Sequence, residues 1–203
     1  MAKSIFDPKS QEKDIKSKIV IGLERISEAF RVLLWEHAKV IGLSPIQIQI
    51  LIFIAHHKEA LCNVSQIARE FNVTKPTISD AIKVLETKGF IIKKSSSYDS
   101  RSYSISLSDT GKNIVKDTEG FADPIKNQLS NIENDYLENL YDSLTQLIYG
   151  LNKTGIITVQ RTCYGCRFYE RRAETHHCQF LRKDLLNSEI RLDCSEFETK
   201  AHG

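Results

Sequence analysis

Four of the five cysteines in this 203-residue chain crowd into its last 41 residues, at Cys163, Cys166, Cys178 and Cys194; the chain before them carries only Cys62. The spacing is Cys163-x2-Cys166-x11-Cys178-x15-Cys194. A C-x2-C pair lets two thiolates chelate one centre from a tight turn, here relaxed by Gly165, and two further cysteines complete four-coordination. Thioredoxin-like dithiol chemistry would need a strand-to-helix context around the pair, and "TCYGCRFYE" does not supply one. Zinc and an iron–sulfur cluster both accept four thiolates. Structural zinc more often uses two chelating pairs, whereas one pair plus two separated cysteines, each beside an aromatic or aliphatic residue, also suits a cluster in an apolar sleeve. The pattern leans toward a [4Fe-4S] cluster and leaves zinc open. His176 and His177 are candidate zinc ligands, but four cysteines already fill a site, so supporting or exposed roles are expected of them.

Composition restricts the setting. The chain is 41% hydrophobic and 27% charged, enough for one full domain with a small appendage. The N-terminal "MAKSIFDPKSQEKD" lacks the apolar core of a secretory signal, and no run of about 18 apolar residues occurs, so a cytoplasmic protein without a membrane partner is expected. In a reducing compartment an odd number of clustered cysteines points to metal or redox chemistry rather than a disulfide framework. Net charge is only +2, so its distribution matters more than its sum. Residues 74–112 hold seven Lys or Arg against four Asp or Glu, while 163–203 hold seven against seven. Any grip on phosphates belongs to the middle of the chain.

The elements that must position these groups are mostly helical. Ile15, Ile19, Leu23, Ile26, Phe30, Leu33 or Leu34 and His37 fall at spacings of three and four, predicting a long helix that buries one face. Ser44 and Pro45 read as N-cap and first helical residue of a helix through "IQIQILIFIAHH". Asn63 caps a short helix with Gln66 at the capping-box position, and Thr74 caps another in which Ile78, Ala81, Ile82 and Leu85 form the inner face and Gly89 ends it. Two short helices joined by "FNVT" make a helix-turn-helix. The period then changes from 3.6 to 2: "FIIKK" and "SYSISL" predict a hairpin with "SSSYDSR" at its tip. Helices resume at Ser108, with Pro124 as a break and Tyr136 or Leu137, Leu140, Leu144, Leu147 and Ile148 on one face of the last; "GLNKTGII" reads as a hinge.

The stretch "VSQIAREFNVTKPTISDAIKVLETKGFIIKKSSSYDSRSYSISLSDTG" resembles the MarR family of winged-helix transcriptional regulators, over about residues 12 to 152. The resemblance implies a mainly α fold with a small β wing and a homodimer that sets two such units on successive major grooves of a palindromic operator. It implies a repressor rather than an enzyme. The expected organisation is therefore a winged-helix and dimerisation domain over 1–152, with helix-turn-helix at about 63–89 and wing at about 90–107, and a cysteine-rich module over 153–203.

Elementary chemistry assigns the same roles. A helix fits the B-DNA major groove, and the face opposite Ile78, Ala81, Ile82 and Leu85 offers Lys75, Pro76, Thr77, Ser79, Asp80 and Lys83. Thr77 and Ser79 can meet phosphates or base edges; Lys75 and Lys83 suit phosphates, as do Ser65 and Gln66 at the start of the preceding helix. Arg101 at the wing tip suits the narrow minor groove, with Asp99 holding it, and Lys93 and Lys94 add phosphate contacts from the wing strand. Trp35 and His37 are assigned to core or dimer packing, and Cys62 to a buried, inert thiol.

The tail pattern "CYGCRFY…CQFL…DCSEF" looks similar to high-potential iron–sulfur proteins. The reading is a regulator whose tail senses redox state, oxygen or iron. Its alternatives are the same regulator with a structural zinc site and a small-molecule effector, and, from another class, an electron-carrying or thiol-redox protein.

Overall fold

A computed structural model describes residues 4–95, 103–172 and 175–200. A short helix α1 (Pro8–Gln11) leads into the long α2 (Ile15–Ile41), capped by the Asp14 carboxylate, which accepts from the Lys16 and Ser17 backbone N–H groups. Helix α3 (Pro45–His56) starts as the Ser-Pro signal predicts, with the Gln47 side chain accepting from the Ser44 N–H at 2.8 Å. The alternating Ile and Gln of "IQIQIL" sit on a helix because α3 is the central element. Ile48, Ile50, Leu51, Phe53 and Ile54 are all buried, as an all-round apolar core helix requires.

Helices α4 (Val64–Glu70) and α5 (Lys75–Thr87) form the helix-turn-helix. Asn63 Oδ1 accepts from Gln66 N–H at 3.0 Å, and Thr74 Oγ1 accepts from Thr77 N–H at 3.3 Å. Ile67, Ala68, Ile78, Ala81, Ile82 and Leu85 join α3 in one core, so the four-residue spacing of the apolar positions is what locks the two helices at their crossing. Gly89, at φ +72°, turns the chain out of α5 in the left-handed conformation that a β-carbon disfavours.

The wing strands β1 (Ile91–Ser95) and β2 (Tyr103–Leu107) pair antiparallel with Ile91 opposite Leu107 and Ser95 opposite Tyr103. Ile91 and Ile105 turn inward, and Ile105 N–H donates to the Cys62 carbonyl at 2.8 Å, pinning the wing to the body. The Cys62 thiol is 1% exposed and burial pushes its pKa up, so the inert role expected of it fits. Helix α6 (Asp109–Thr118) begins at Ser108, whose hydroxyl accepts from Gly111 N–H at 3.0 Å and donates to the Gly89 carbonyl at 2.6 Å. One side chain thus ties the exit of α5 to the entry of α6, which is the physical content of "LSDTG". Pro124 falls in the first turn of α7 (Asp123–Leu129), after a 3-10 turn that breaks it from α6.

Two expectations of burial fail within one protomer. On α2, Ile15, Ile19, Ile26 and Phe30 remain 67%, 52%, 49% and 40% exposed; only Ser17, Leu34 and Ala38 are buried. The stripe exists, but among the described residues its N-terminal part is largely uncovered, Phe30 meeting Phe121 edge-on and Leu34 alone of the predicted positions being buried. On α8 (Asn134–Lys153), Leu140 and Leu147 are likewise exposed, and the buried position is Thr145. The neighbouring Tyr141 hydroxyl donates to the Ile190 carbonyl, so this side of α8 faces the cysteine-rich module instead.

That module holds a three-stranded antiparallel sheet that periodicity did not reveal: β3 (Tyr169–Arg172), β4 (Thr175–Cys178) and β5 (Lys183–Leu185). Tyr169 lies opposite Cys178, and His176 opposite Leu185. The strands are too short for a legible alternation. The segment "GLNKTGII" is tethered rather than a free hinge: the Asn72 amide donates to the Ile156 carbonyl at 3.3 Å, and the Thr158 hydroxyl donates to the Arg69 carbonyl.

Candidate nucleic-acid interface and thiol centre

The caps and core of α5 decide which of its residues reach solvent. With Ile78, Ala81, Ile82 and Leu85 buried, Lys75, Pro76, Thr77, Ser79, Asp80 and Lys83 are all exposed. The side chains of Lys75, Ser79, Asp80 and Lys83 have no hydrogen-bond or ion-pair partner among the described residues. Thr77 is less free: its hydroxyl lies 2.8 Å from that of Thr74. The Thr74-x-x-Thr77 spacing carried this signal, since a cap hydroxyl and the side chain three residues on share one turn. Ser65 is exposed and Gln66 half-buried at the first turn of α4.

Along the wing, Lys93 Nζ bonds Glu86 Oε2 at 2.6 Å and lies 5.0 Å over the Tyr103 ring, while Lys94 is exposed with Glu59 at 4.0 Å. Lys94 is therefore the freer cation of the two. Asp99 and Arg101, assigned to the wing tip, lie outside the described residues.

The four tail cysteines come from three local structures and line one cavity of about 360 Å³. Cys163 opens a 3-10 turn capped by Thr162, and Cys166 closes it with an N–H bond to the Cys163 carbonyl at 2.9 Å. Gly165 has no positive φ, and a β-carbon there would make only ordinary contact with the Phe197 ring, at 3.6 Å, so the turn does not require a glycine. Cys178 ends β4, and Cys194 is placed by its N–H bond to the Arg161 carbonyl at 3.1 Å. Phe180, Leu185 and Ile190 supply apolar walls. The Arg191 backbone N–H donates to Cys163 Sγ at 3.3 Å, and its guanidinium approaches Cys194 Sγ at 3.8 Å. Burial, and then the neighbouring thiols, push the Cys163 pKa up. Among the described residues no three His, Cys, Asp or Glu side chains converge closely enough to hold a single metal ion.

The histidines fall where supporting roles put them. His176 is 4% exposed and bridges the Tyr169 hydroxyl (Nδ1, 2.6 Å) and Asn187 Oδ1 (Nε2, 3.0 Å). An amide oxygen only accepts, so Nε2 carries the proton and Nδ1 accepts from Tyr169. His177 Nδ1 bonds Asp184 on the outer face of the sheet at 2.7 Å.

Sequence reasoning missed Arg161. Its guanidinium forks onto Glu70 at 2.8 and 2.9 Å, bonds Asp193, and lies 3.2 Å from His57 Nε2, with the side chain only 11% exposed. Burial opposes its charge, but hydrogen bonds to Asp193 and Glu70 outweigh that and raise its pKa. Its partners lie 91, 32 and 104 residues away, so no local pattern announces it.

Comparison with known proteins follows this division of the chain. Residues 41–102 match the model of the MarR family. No curated protein matches the chain. Among solved structures, the S. aureus MepR–DNA complex is 21% identical, with a TM-score of 0.58, over 65% of this chain and 97% of that one. Streptococcus pneumoniae FabT in complex with DNA is 21% identical, with a TM-score of 0.57, over 68% and 99%. The transcriptional regulator PA3341 is 22% identical, with a TM-score of 0.58, over 66% and 98%. At these identities the likeness concerns the fold. No single helix among the described residues is long and apolar enough to cross a membrane. The segment that matches the MarR family is the one that folds as the helix-turn-helix and first wing strand, and the fold built around it is a MarR-like winged helix.

Proposed function

We propose that this protein is a DNA-binding transcription regulator, a repressor rather than an enzyme, that acts as a homodimer on a palindromic duplex. The observation that carries this reading is the polar face of α5, on which Lys75, Ser79, Asp80 and Lys83 have no side-chain partner among the described residues, held outward by a buried opposite face within a helix-turn-helix followed by wing strands. That the MepR and FabT structures of like fold were solved with DNA supports it. The exposed apolar stripe of α2, with Leu140 and Leu147 of α8, supports a second copy as partner. Selection from a random duplex library tests the reading: it should recover an inverted repeat with half-sites about one helical turn apart. Failure to enrich any sequence would overturn it.

The C-terminal module is, on the same proposal, a four-thiolate centre of Cys163, Cys166, Cys178 and Cys194 that reports redox state, oxygen or iron to the DNA-binding unit. A tetrahedral zinc with Zn–S of about 2.3 Å draws its sulfurs to about 3.8 Å from one another and leaves no space between them. A cavity of about 360 Å³ that all four thiols help to line is what supports reading a [4Fe-4S] cluster there, with zinc as the alternative. Purification without air, with iron, sulfide and zinc analysis, decides: iron and sulfide in equal amounts, with broad absorption in the visible, are expected. A colourless protein with one zinc per chain would establish the structural-zinc alternative.

A further inference from the structure

The cysteine module and the helix-turn-helix meet at one charge cluster, in which Arg161, Glu70 and His57 are largely buried and Asp193 is 49% exposed. Arg161 Nη1 and Nη2 grip both oxygens of Glu70, the last residue of α4, at 2.8 and 2.9 Å. The same guanidinium bonds Asp193, and His57 at the end of α3 closes the group with Nε2 at 2.8 Å from Asp193 Oδ2. His57 is itself held by Nδ1 at 2.8 Å from the Phe53 carbonyl and by stacking on the Phe53 ring. The Arg161 and Glu70 side chains are only 11% and 19% exposed, so this is no screened surface pair. Bidentate geometry fixes direction as well as distance.

Arg161 and Asp193 are also adjacent to the thiols. They face each other in an isolated parallel β-bridge. Cys163 follows Arg161 by two residues, Cys194 follows Asp193 directly, and Cys194 N–H donates to the Arg161 carbonyl at 3.1 Å. Whatever fixes the separation of Cys163 and Cys194 therefore fixes the bridge, and the bridge aims the guanidinium. On the far side, Glu70 is four residues before Thr74, the cap of α5. The tail holds this corner at two more points, Asn72 to the Ile156 carbonyl and Thr158 to the Arg69 carbonyl.

We propose that Arg161, through Glu70 and Asp193, is the positioning residue by which loading of the thiol centre sets the geometry of the α4–α5 corner and hence DNA affinity. This rests on the reading of the module as a metal centre. A centre regulates only if it interacts unequally with the DNA-bound and free conformations, and a corner clamped in one state and released in the other supplies that inequality.

The test uses full-length protein, either reconstituted under argon with iron(II) and sulfide or stripped of metal, and a duplex recovered by random selection. Wild type should change its DNA affinity on loading by a factor within the roughly 5–150-fold range of coupled sites. In Glu70→Gln, which leaves the tail sequence untouched, and in Arg161→Gln, that factor should shrink to about twofold or less while iron and sulfide content stay at wild-type levels. Hydrogen exchange of amides 70–75 gives a readout independent of DNA: loading should slow it in wild type and leave it unchanged in Glu70→Gln. Full metal dependence in Glu70→Gln would overturn the role of Arg161 and leave the sensing reading standing. A wild-type affinity indifferent to loading would overturn both.

Discussion

Lys83 and Gly111 show how one residue can be read in two ways, by what it reaches and by what it must not touch. Lys83 extends from the outward face of α5 without an ion-pair partner among the described residues. As a point charge it suits a phosphate and carries no base preference. Lys83→Ala should weaken selected and random duplexes alike and lower the slope of log affinity against log salt by about one, measured by titration at several salt concentrations. A changed sequence preference at constant slope would move Lys83 to the base edges. Gly111 is the opposite case: a β-carbon there would stand 2.0 Å from the carbonyl oxygen of Phe90, the residue that leads into β1, so α6 would have to move off that segment. Gly111→Ala should cost about 1–3 kcal/mol, read as a lowered unfolding midpoint in urea. The sequence announced both residues, Lys83 by helical periodicity and Gly111 within "LSDTG". The reason for the glycine, a backbone contact between non-adjacent elements, appears only in three dimensions.

At the scale of elements, the sequence was most legible where a cap and a period coincide. Asn63, Thr74 and Ser108 each begin a helix as their spacing predicts, because the cap bond is local. It was least legible in the tail, where strands of three and four residues present too few positions for a period of two to emerge. Arg161 was invisible for a different reason, its partners being set by topology. The stripe of α2 was read as a face that should be buried, and within one chain only its Leu34 end is, since periodicity identifies an apolar face but not which chain covers it. With Ile26 49% exposed on that stripe, Ile26→Asp would place a charge in the proposed interface. Sedimentation should then show a shift from dimer to monomer, with helix content unchanged by circular dichroism. A dimer that persists at wild-type affinity would place the interface elsewhere.

For the whole molecule, the decisive asymmetry is between its two cores. The winged helix buries a continuous set of side chains from Leu34 to Val115, whereas the buried cluster of the module consists of Cys163, Leu185 and Ile190. Besides these, Thr162, Cys166 and His176 are the module's buried residues among those described, so two of six are proposed metal ligands, and so small a core stabilises little by itself. Exposed trypsin sites lie in β3 at Arg171 and Arg172, in β5 at Lys183, and at Arg182 just before β5. Metal-loaded protein should therefore resist limited trypsin digestion across the tail, while metal-free protein, or Cys178→Ser, should be trimmed to a resistant fragment of about residues 4–160. Equal digestion of loaded and metal-free protein would show that the module holds its fold unaided. On the proposal that the thiols hold a metal centre, the tail would also act as a clock inside a cell: proteases remove chains with unfolded segments, so the lifetime of this protein, and with it its copy number, would follow the supply of that centre.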